Sequence, residues 1–153
     1  MNNGLKLGII GNGADKFTPI GEKRAKIKIY ELISIPGKVT VVSGHSPLGG
    51  IDIWAEEIAR EIGLRTEIFI PEVHSWNSGY GYKLRNLDIA RTSDFVHVIV
   101  ARNYPVYYTG RRFNICYHCG NTQLYHVKSG ACWTAKEAIK LGKDAKWWFI
   151  NND

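Results

Sequence analysis

Apolar and polar positions along this chain alternate between two spacings. Short runs rich in β-branched and aromatic residues fall at Leu5–Gly11, Val39–Val42, Arg65–Ile70, Asp94–Ala101 and Ala145–Ile150, and each reads as a buried strand. Helical spacing fills the intervals. Thr18-Pro19 opens a first helix, with the proline at the first helical position, and Ala25, Ile29, Leu32 and Ile33 form its inner face as far as Ser34. Pro36-Gly37 ends it. In the second helix Ile51, Ala55, Ile58, Ala59 and Ile62 face inward, Glu56, Glu57, Arg60 and Glu61 are expected largely off that face, and Gly63 is the cap. Tyr82–Thr92 is a third helix with Leu84, Leu87 and Ala90 inward. Cys132–Leu141 is the last, closed by Gly142.

Strand and helix alternate from end to end without internal repeat. That order predicts one α/β domain over residues 1–153, a Rossmann-like three-layer sandwich around a mostly parallel sheet of about five strands. Ligands on such sheets bind beyond the carboxyl ends of the strands, where strand order reverses. The turns after the first, second and fourth strands are therefore expected to share one crevice. The segment Pro71–Gly81, rich in Ser, Gly, Asn and aromatics, is a further edge for it.

The second of those turns, Ser43–Gly50, runs from a strand through glycines into a helix start. Glycine lets backbone approach an anion, and the first N–H groups of a helix point at it. Ser43, Gly44, Gly49 and Gly50 are the candidate phosphate cradle, and a bulky side chain at Gly49 is expected to block it. A sharp turn alone explains the same glycines. Two named phosphate motifs are missing. Gly37-Lys38 and Gly142-Lys143 are not followed by Ser or Thr as a Walker A loop requires, and Gly11-Asn12-Gly13 has Lys16 where a dinucleotide fingerprint needs glycine.

Residues 102–131 separate the fourth strand from the last helix by far more than the usual connection of roughly two to six residues. All three cysteines fall here or at its edge, as Cys116-x2-Cys119-x6-His126-x5-Cys132. Two thiolates two residues apart grip one tetrahedral ion, and His126 with Cys132 completes a closed, structural zinc shell that would staple the insert. His118 fits the spacing as well as His126 does. The rivals are a Cys116–Cys119 disulfide and three buried thiols without a ligand. Tyr104, Tyr107, Tyr108 and Phe113 stand among Arg102, Arg111 and Arg112, a pattern that suits either stacked nucleobases or a small core under the insert.

Composition narrows the field. With 44% hydrophobic and 22% charged residues over 153 positions, the chain buries a core and is not disordered. A formal charge of +6 favours an anionic partner without separating nucleic acid from a small phosphorylated ligand. No apolar run approaches a membrane span and the first residues lack a signal-peptide layout, so a cytoplasmic protein without a membrane partner is expected.

Three stretches resemble the SLOG superfamily, the Rossmann-like group that contains the Lonely-guy phosphoribohydrolases and DprA-type proteins. Ser43-Gly44-His45 through Gly49, Asp52 and Ala55-Glu56 is similar to that family's SGG-x-x-G-x-D-x-x-A-E. Arg85-Asn86 matches its R-N pair. Ser129–Glu137 resembles PGG-x-GT-x-x-E, keeping Gly130, Thr134 and Glu137, with Ala131 and Trp133 in place of glycines. The resemblance implies phosphate held at the helix starts near Gly49 and near Gly130 and Thr134. Asp52 or Asn86 would then bond a ribose hydroxyl, and Arg85 would pair with phosphate. If N-glycoside hydrolysis takes place, Glu137 is the candidate base with Arg85 as its electrostatic partner. Asp52 and Glu137 also fit as early-helix acids favoured by the macrodipole. Two other readings stay open: a nucleic-acid-binding module built on the basic, aromatic insert, and an interaction protein with Trp147-Trp148 at a contact between copies of a homo-oligomer.

Overall fold

The computed structural model describes residues 4–76, 81–119 and 125–153. Parts of the expected loop at 71–81 and of the insert at 102–131 therefore lie outside the described residues. The elements follow the alternation in the sequence: β1 (Leu5–Gly11), α1 (Pro19–Ile33), β2 (Val39–Ser43), α2 (Ile51–Glu61), β3 (Arg65–Ile68), α3 (Tyr82–Thr92), β4 (Phe95–Ala101), α4 (Ala131–Lys140) and β5 (Asp144–Ile150). Boundaries move by a residue or two from the sequence expectation, as frayed ends do. All four strand pairings are parallel and the order is β3-β2-β1-β4-β5.

Successive strand residues point to opposite faces, and the core divides accordingly. Leu7, Ile9, Val41 and Ile99 pack under α1 and α2, while Ile10, Val42, Val98 and Val100 pack under α3 and α4. Val41, Val42, Val98, Ile99 and Val100 are fully buried, so β2 and β4 are apolar on both sides as central parallel strands must be. Thr18 accepts from the Gly21 backbone N–H at 3.0 Å and caps α1 ahead of Pro19. Gly63 and Gly142, at φ +80° and +83°, supply the left-handed residue that ends α2 and α4.

Two inner faces differ from the periodicity. Glu56, expected on the outer face of α2, is 1% exposed, and Trp54 is buried beside Phe17 with ring centroids 5.4 Å apart. In α3 the buried positions are Asn86, Ile89 and Ala90, whereas Leu84 stays 38% exposed. Glu56 and Asn86 turn inward to polar partners, His45 and Arg85, whereas Trp54 joins the apolar core beside Phe17.

The order β3-β2-β1-β4-β5 means the chain builds outward from β1 in one direction, then returns to build outward from its other side. The reversal lies between β1 and β4, where a crevice opens at the carboxyl ends. Asn152, just past β5, reinforces this edge. Its side-chain Nδ2 donates to the Lys16 and Asn103 carbonyls and its Oδ1 accepts from the Thr18 backbone N–H, tying the β1–α1 turn to the start of the insert. Among the described residues no helix is long and apolar enough to cross a membrane.

Candidate ligand cleft and metal centre

A cleft of about 270 Å³ occupies that reversal. Its walls come from the turn after β1, the turn before α2, the first half of α3 and the start of α4. Asn12 is the joint among them. It is buried; its Oδ1 accepts from the Ala101 backbone N–H at 2.9 Å, its Nδ2 donates to the Lys128 carbonyl at 3.1 Å, and its own carbonyl accepts from the Ile51 N–H at 3.2 Å. One side chain and its peptide thus fasten the ends of β1 and β4, the approach to α4 and the start of α2. Asn12→Ala leaves the Ala101 donor and the Lys128 acceptor unpaired, and is expected to cost about 2–4 kcal/mol in urea unfolding.

Asp52 lies in the first turn of α2, 7% exposed, and lines the cleft. Burial pushes its carboxyl up to about 6, against the pull of Arg85; Glu56 adds to the rise, and the Ser46 backbone N–H and His45 oppose it. Arg85, half-buried, is itself held below its usual range by burial, with Asp52 and then Tyr82 opposing. Its Nε donates to Asn86 Oδ1 at 2.7 Å, its other end donates to the Gly44 carbonyl, and its guanidinium carbon lies 5.2 Å from the Tyr82 ring centroid. Behind Asp52 the buried Glu56 carboxylate bonds His45 Nδ1 at 2.9 and 3.1 Å. His45 takes φ +49° to reach it.

The residues of the Ser43–Gly50 turn serve mainly to build this arrangement. Ser43 is fully buried, its hydroxyl donating to the Asp52 carbonyl at 3.2 Å and accepting from the His45 N–H at 3.3 Å. Gly44 is a glycine because a Cβ there would run into the Arg85 guanidinium. Gly50, at φ +86°, presses on the backbone of the β1 turn, where a Cβ would meet the Ala14 nitrogen and the Gly13 carbonyl carbon at 2.6 Å. Gly49 also has positive φ, but a Cβ would make only an ordinary contact with Ala14 at 3.5 Å. Of this stretch it is Ser46 and Leu48 that line the cleft, and Ser43, Gly44, Gly49 and Gly50 stand behind them.

At the opposite wall, Ser129, Gly130, Ala131 and Thr134 face the cleft. Ser129 Oγ accepts from the Ala131 N–H at 3.2 Å, and the space where a Gly130 Cβ would sit is open. Glu137 is further along: α4 has no acid in its first turn, and the Glu137 carboxylate lies 3.5 Å from Lys140 Nζ, outside the lining. The structure thus joins Asp52, Arg85, Asn86, Gly130 and Thr134 in one cleft and leaves Glu137 apart. Lys16, Lys128 and Trp76 also line the cleft; the Trp76 ring meets Trp133 edge-on at 4.8 Å.

On the far side of that same wall, Cys116, Cys119, His126 and Cys132 are all buried, and their donor atoms lie within 4.8 Å of one another. This group could hold a metal ion. Tetrahedral bonds of about 2.0–2.3 Å set ligand–ligand edges of roughly 3.5–3.8 Å, and His126 Nε2 is 3.6 Å from Cys119 Sγ and 4.0 Å from Cys132 Sγ. His126 Nδ1 faces the Val127 carbonyl at 2.8 Å, which takes the ring proton and leaves the Nε2 lone pair toward the sulfurs. The Trp147 indole N–H donates to Cys132 Sγ at 3.3 Å. Cys132 donating to Cys116 pulls the Cys116 thiol down to about 4, and the same bond pushes Cys132 up. None of the three is in a disulfide. His118, equal to His126 by spacing, instead packs near Tyr117 and Trp76.

The aromatics and arginines of the insert are largely engaged within it. Arg112 donates to the Pro105, Val106 and Tyr108 carbonyls at 2.9, 3.1 and 3.2 Å, and Tyr104 stacks on Tyr108 at 4.9 Å. The two tryptophans of β5 are likewise occupied: Trp148 donates to His97 Nδ1 at 3.0 Å, and Trp147 to Cys132.

No protein-family model, curated protein or solved structure matches the chain. Lining residues that the sequence did not single out as ligand contacts include Asn12, Lys16, Lys128 and Trp76. Each sits in a connection rather than a periodic element; the turn Gly11-Asn12-Gly13 after the first strand pointed toward Asn12, and the segment Pro71–Gly81 pointed toward Trp76.

Proposed function

We propose that this protein binds a nucleoside phosphate in the cleft between β1 and β4, with a structural zinc ion holding one wall. The observation that carries the reading is the composition of the lining: Lys16, Arg85 and Lys128 surround a crevice in which Asp52 is the one carboxylate among the described residues. The open backbone at Ser129–Gly130–Ala131 begins a helix, where N–H groups favour an anion. Trp76 offers a flat apolar surface for a base, and Asp52 and Asn86 supply acceptors for ribose hydroxyls. At about 270 Å³ the space is near the lower end of the roughly 300–1,000 Å³ common for small-molecule sites, which suits one nucleotide rather than two.

Zinc is the ion that three thiolates and an imidazole select. With all four positions filled by protein, it would serve folding rather than chemistry. Membership of the SLOG superfamily belongs to the same proposal, supported by the meeting of Asp52, Arg85, Asn86, Gly130 and Thr134. The nucleic-acid reading is the weaker one, because Arg112, Tyr104 and Tyr108 satisfy each other inside the insert.

Titration calorimetry with a panel of nucleoside 5′-monophosphates tests the proposal. Saturable binding is expected, at least tenfold tighter than for the matching nucleosides and weakened by Arg85→Ala. Binding to generic DNA or RNA should be weak and fall steeply with salt. Sequence-selective nucleic-acid binding that persists at high salt, with no nucleotide bound, would overturn it.

A further inference from the structure

We infer that the amino-terminal end of the sheet carries a second ligand site, which takes a small hydrophobic amine with an uncharged hydrogen-bond acceptor, the chemistry of an amino-acid amide. The site is a pocket of about 440 Å³ at the opposite end of the sheet from the cleft, where the first residues of β1, β4 and β5 meet the end of α1. Register sets Leu7, Phe95 and Asp144 side by side across the three strands, and α1 adds Glu31 and Leu32. Leu5 and Ile35 supply further apolar surface that water still reaches. The volume is that of a site for one small molecule.

His97 gives the pocket its specificity. It lies two residues beyond Phe95 on the same face of β4, is 9% exposed, and lines the pocket. The Trp148 indole N–H, which can only donate, bonds His97 Nδ1 at 3.0 Å, so the neutral ring carries its proton on Nε2. Burial, with Lys146 adding, holds the imidazole down to about 4, and the ring is neutral at ordinary pH. Nε2–H is thus a fixed donor on a nearly buried side chain, with no hydrogen-bond partner among the described residues.

Three carboxylates, Glu31, Asp94 and Asp144, share the lining, and no lysine or arginine among the described residues does. Asp94 accepts from the Lys6 backbone N–H at 2.8 Å and Glu31 pairs with Lys28 at 3.1 Å, whereas the Asp144 carboxylate has no partner among the described residues. The nearby cations are drawn aside: Lys28 and Lys146 hold their Nζ atoms 4.5 and 4.2 Å from the Trp148 ring centroid. The lining is therefore acidic where that of the cleft is basic. Carboxylates repel an anion, and a metal ion would meet an N–H where it needs a lone pair. A wholly apolar molecule would leave the His97 donor unpaired. An amino-acid amide answers each group, with its ammonium for Asp144, its side chain for Leu7, Leu32 and Phe95, and its carbonyl for Nε2–H.

Leucinamide is titrated into the isotope-labelled full chain at about pH 6.5, where the amine is charged, and followed by NMR. Saturable shifts are expected in residues 5–7, 31–35, 94–97 and 144, and in the Trp148 indole N–H, which bonds the other nitrogen of the same ring. N-acetyl-leucinamide, which lacks the charge, and leucine, which adds a carboxylate, should each bind about tenfold more weakly or worse. Isoamylamine, which lacks the acceptor, should lose about fivefold. Asp144→Asn should lower leucinamide affinity about five- to tenfold, and in His97→Phe leucinamide and isoamylamine should bind alike. Should His97→Phe fail to fold, the ligand series and Asp144→Asn decide alone. No saturable binding of leucinamide, shifts confined to other residues, equal binding of the acetylated or the acceptor-free probe, or unchanged affinity in Asp144→Asn would each overturn the inference. Leucyl-glycyl-glycinamide binding tenfold more tightly than leucinamide would overturn it as well, in favour of a peptide amino terminus.

Discussion

Stripping the metal is expected to lower nucleotide affinity at least 100-fold while the parallel sheet stays folded. The reason is the alternation within one short segment. His126 and Cys132 belong to the metal group, whereas Lys128, Ser129, Gly130, Ala131 and Thr134 between and beside them line the cleft. Cys116 also reaches this segment, its sulfur 3.8 Å from the Ser129 carbonyl. Without an ion, the Cys116, Cys119, Cys132 and His126 side chains lose the bonds that would draw them to one centre, so the segment from the insert into α4 loses its anchor. The α1–α2 face of the sheet has its own core, centred on Ile9, Val41, Ile29 and Ala55, which includes no metal ligand. Chelation followed by calorimetry and far-ultraviolet circular dichroism reads both halves of this expectation. Linkage requires the converse as well: a saturating nucleotide should slow metal release to a chromogenic chelator. Metal-free protein that binds nucleotide at full strength would separate the two sites.

The second large effect is expected at Gly50. Gly50→Ala should cost more than 3 kcal/mol in urea unfolding, and Gly49→Ala about 1–2 kcal/mol. Both residues have positive φ, at +86° and +72°, so both substitutions carry backbone strain. They differ in what the new carbon meets. At Gly50 it strikes backbone of Asn12, Gly13 and Ala14, which cannot rotate away, and that collision would break the Ile51 N–H bond to the Asn12 carbonyl. At Gly49 it touches one methyl group. The large steric loss that the sequence reading placed at Gly49 is thus expected at Gly50, and it acts on the frame of the cleft rather than on a phosphate. Equal losses at the two positions would show that dihedral strain alone sets the cost.

Strands and helices were legible because their signals are local. β2 and β4 read as buried strands from uninterrupted β-branched runs, and Thr18-Pro19 marks the start of α1 whatever lies elsewhere in the chain. The metal group was legible for a related reason: Cys116 and Cys119 share one turn, and Cys132 lies at a helix start. Choosing His126 over His118 needed the third dimension, because only the bond from Nδ1 to the Val127 carbonyl aims a ring at the sulfurs. The buried Glu56 was not legible. A glutamate on a helix reads as solvent-facing until a partner such as His45, in an unusual backbone conformation, is seen to reach it. Asn12 and Lys128 are far apart in sequence and belong to connections, so no periodicity links them. The same holds for Leu84, whose exposure follows from Asn86 turning inward beside Arg85.

Hydrogen–deuterium exchange with and without a saturating nucleoside 5′-monophosphate tests the central claim most directly, because it reports where the ligand sits. Slower exchange is expected in peptides covering residues 11–16, 46–54, 82–89 and 128–134, the four stretches that meet at the β1–β4 reversal, with little change in residues 104–113. Protection confined to residues 104–117, with the four cleft stretches unchanged, would place the anion on the insert and contradict the account.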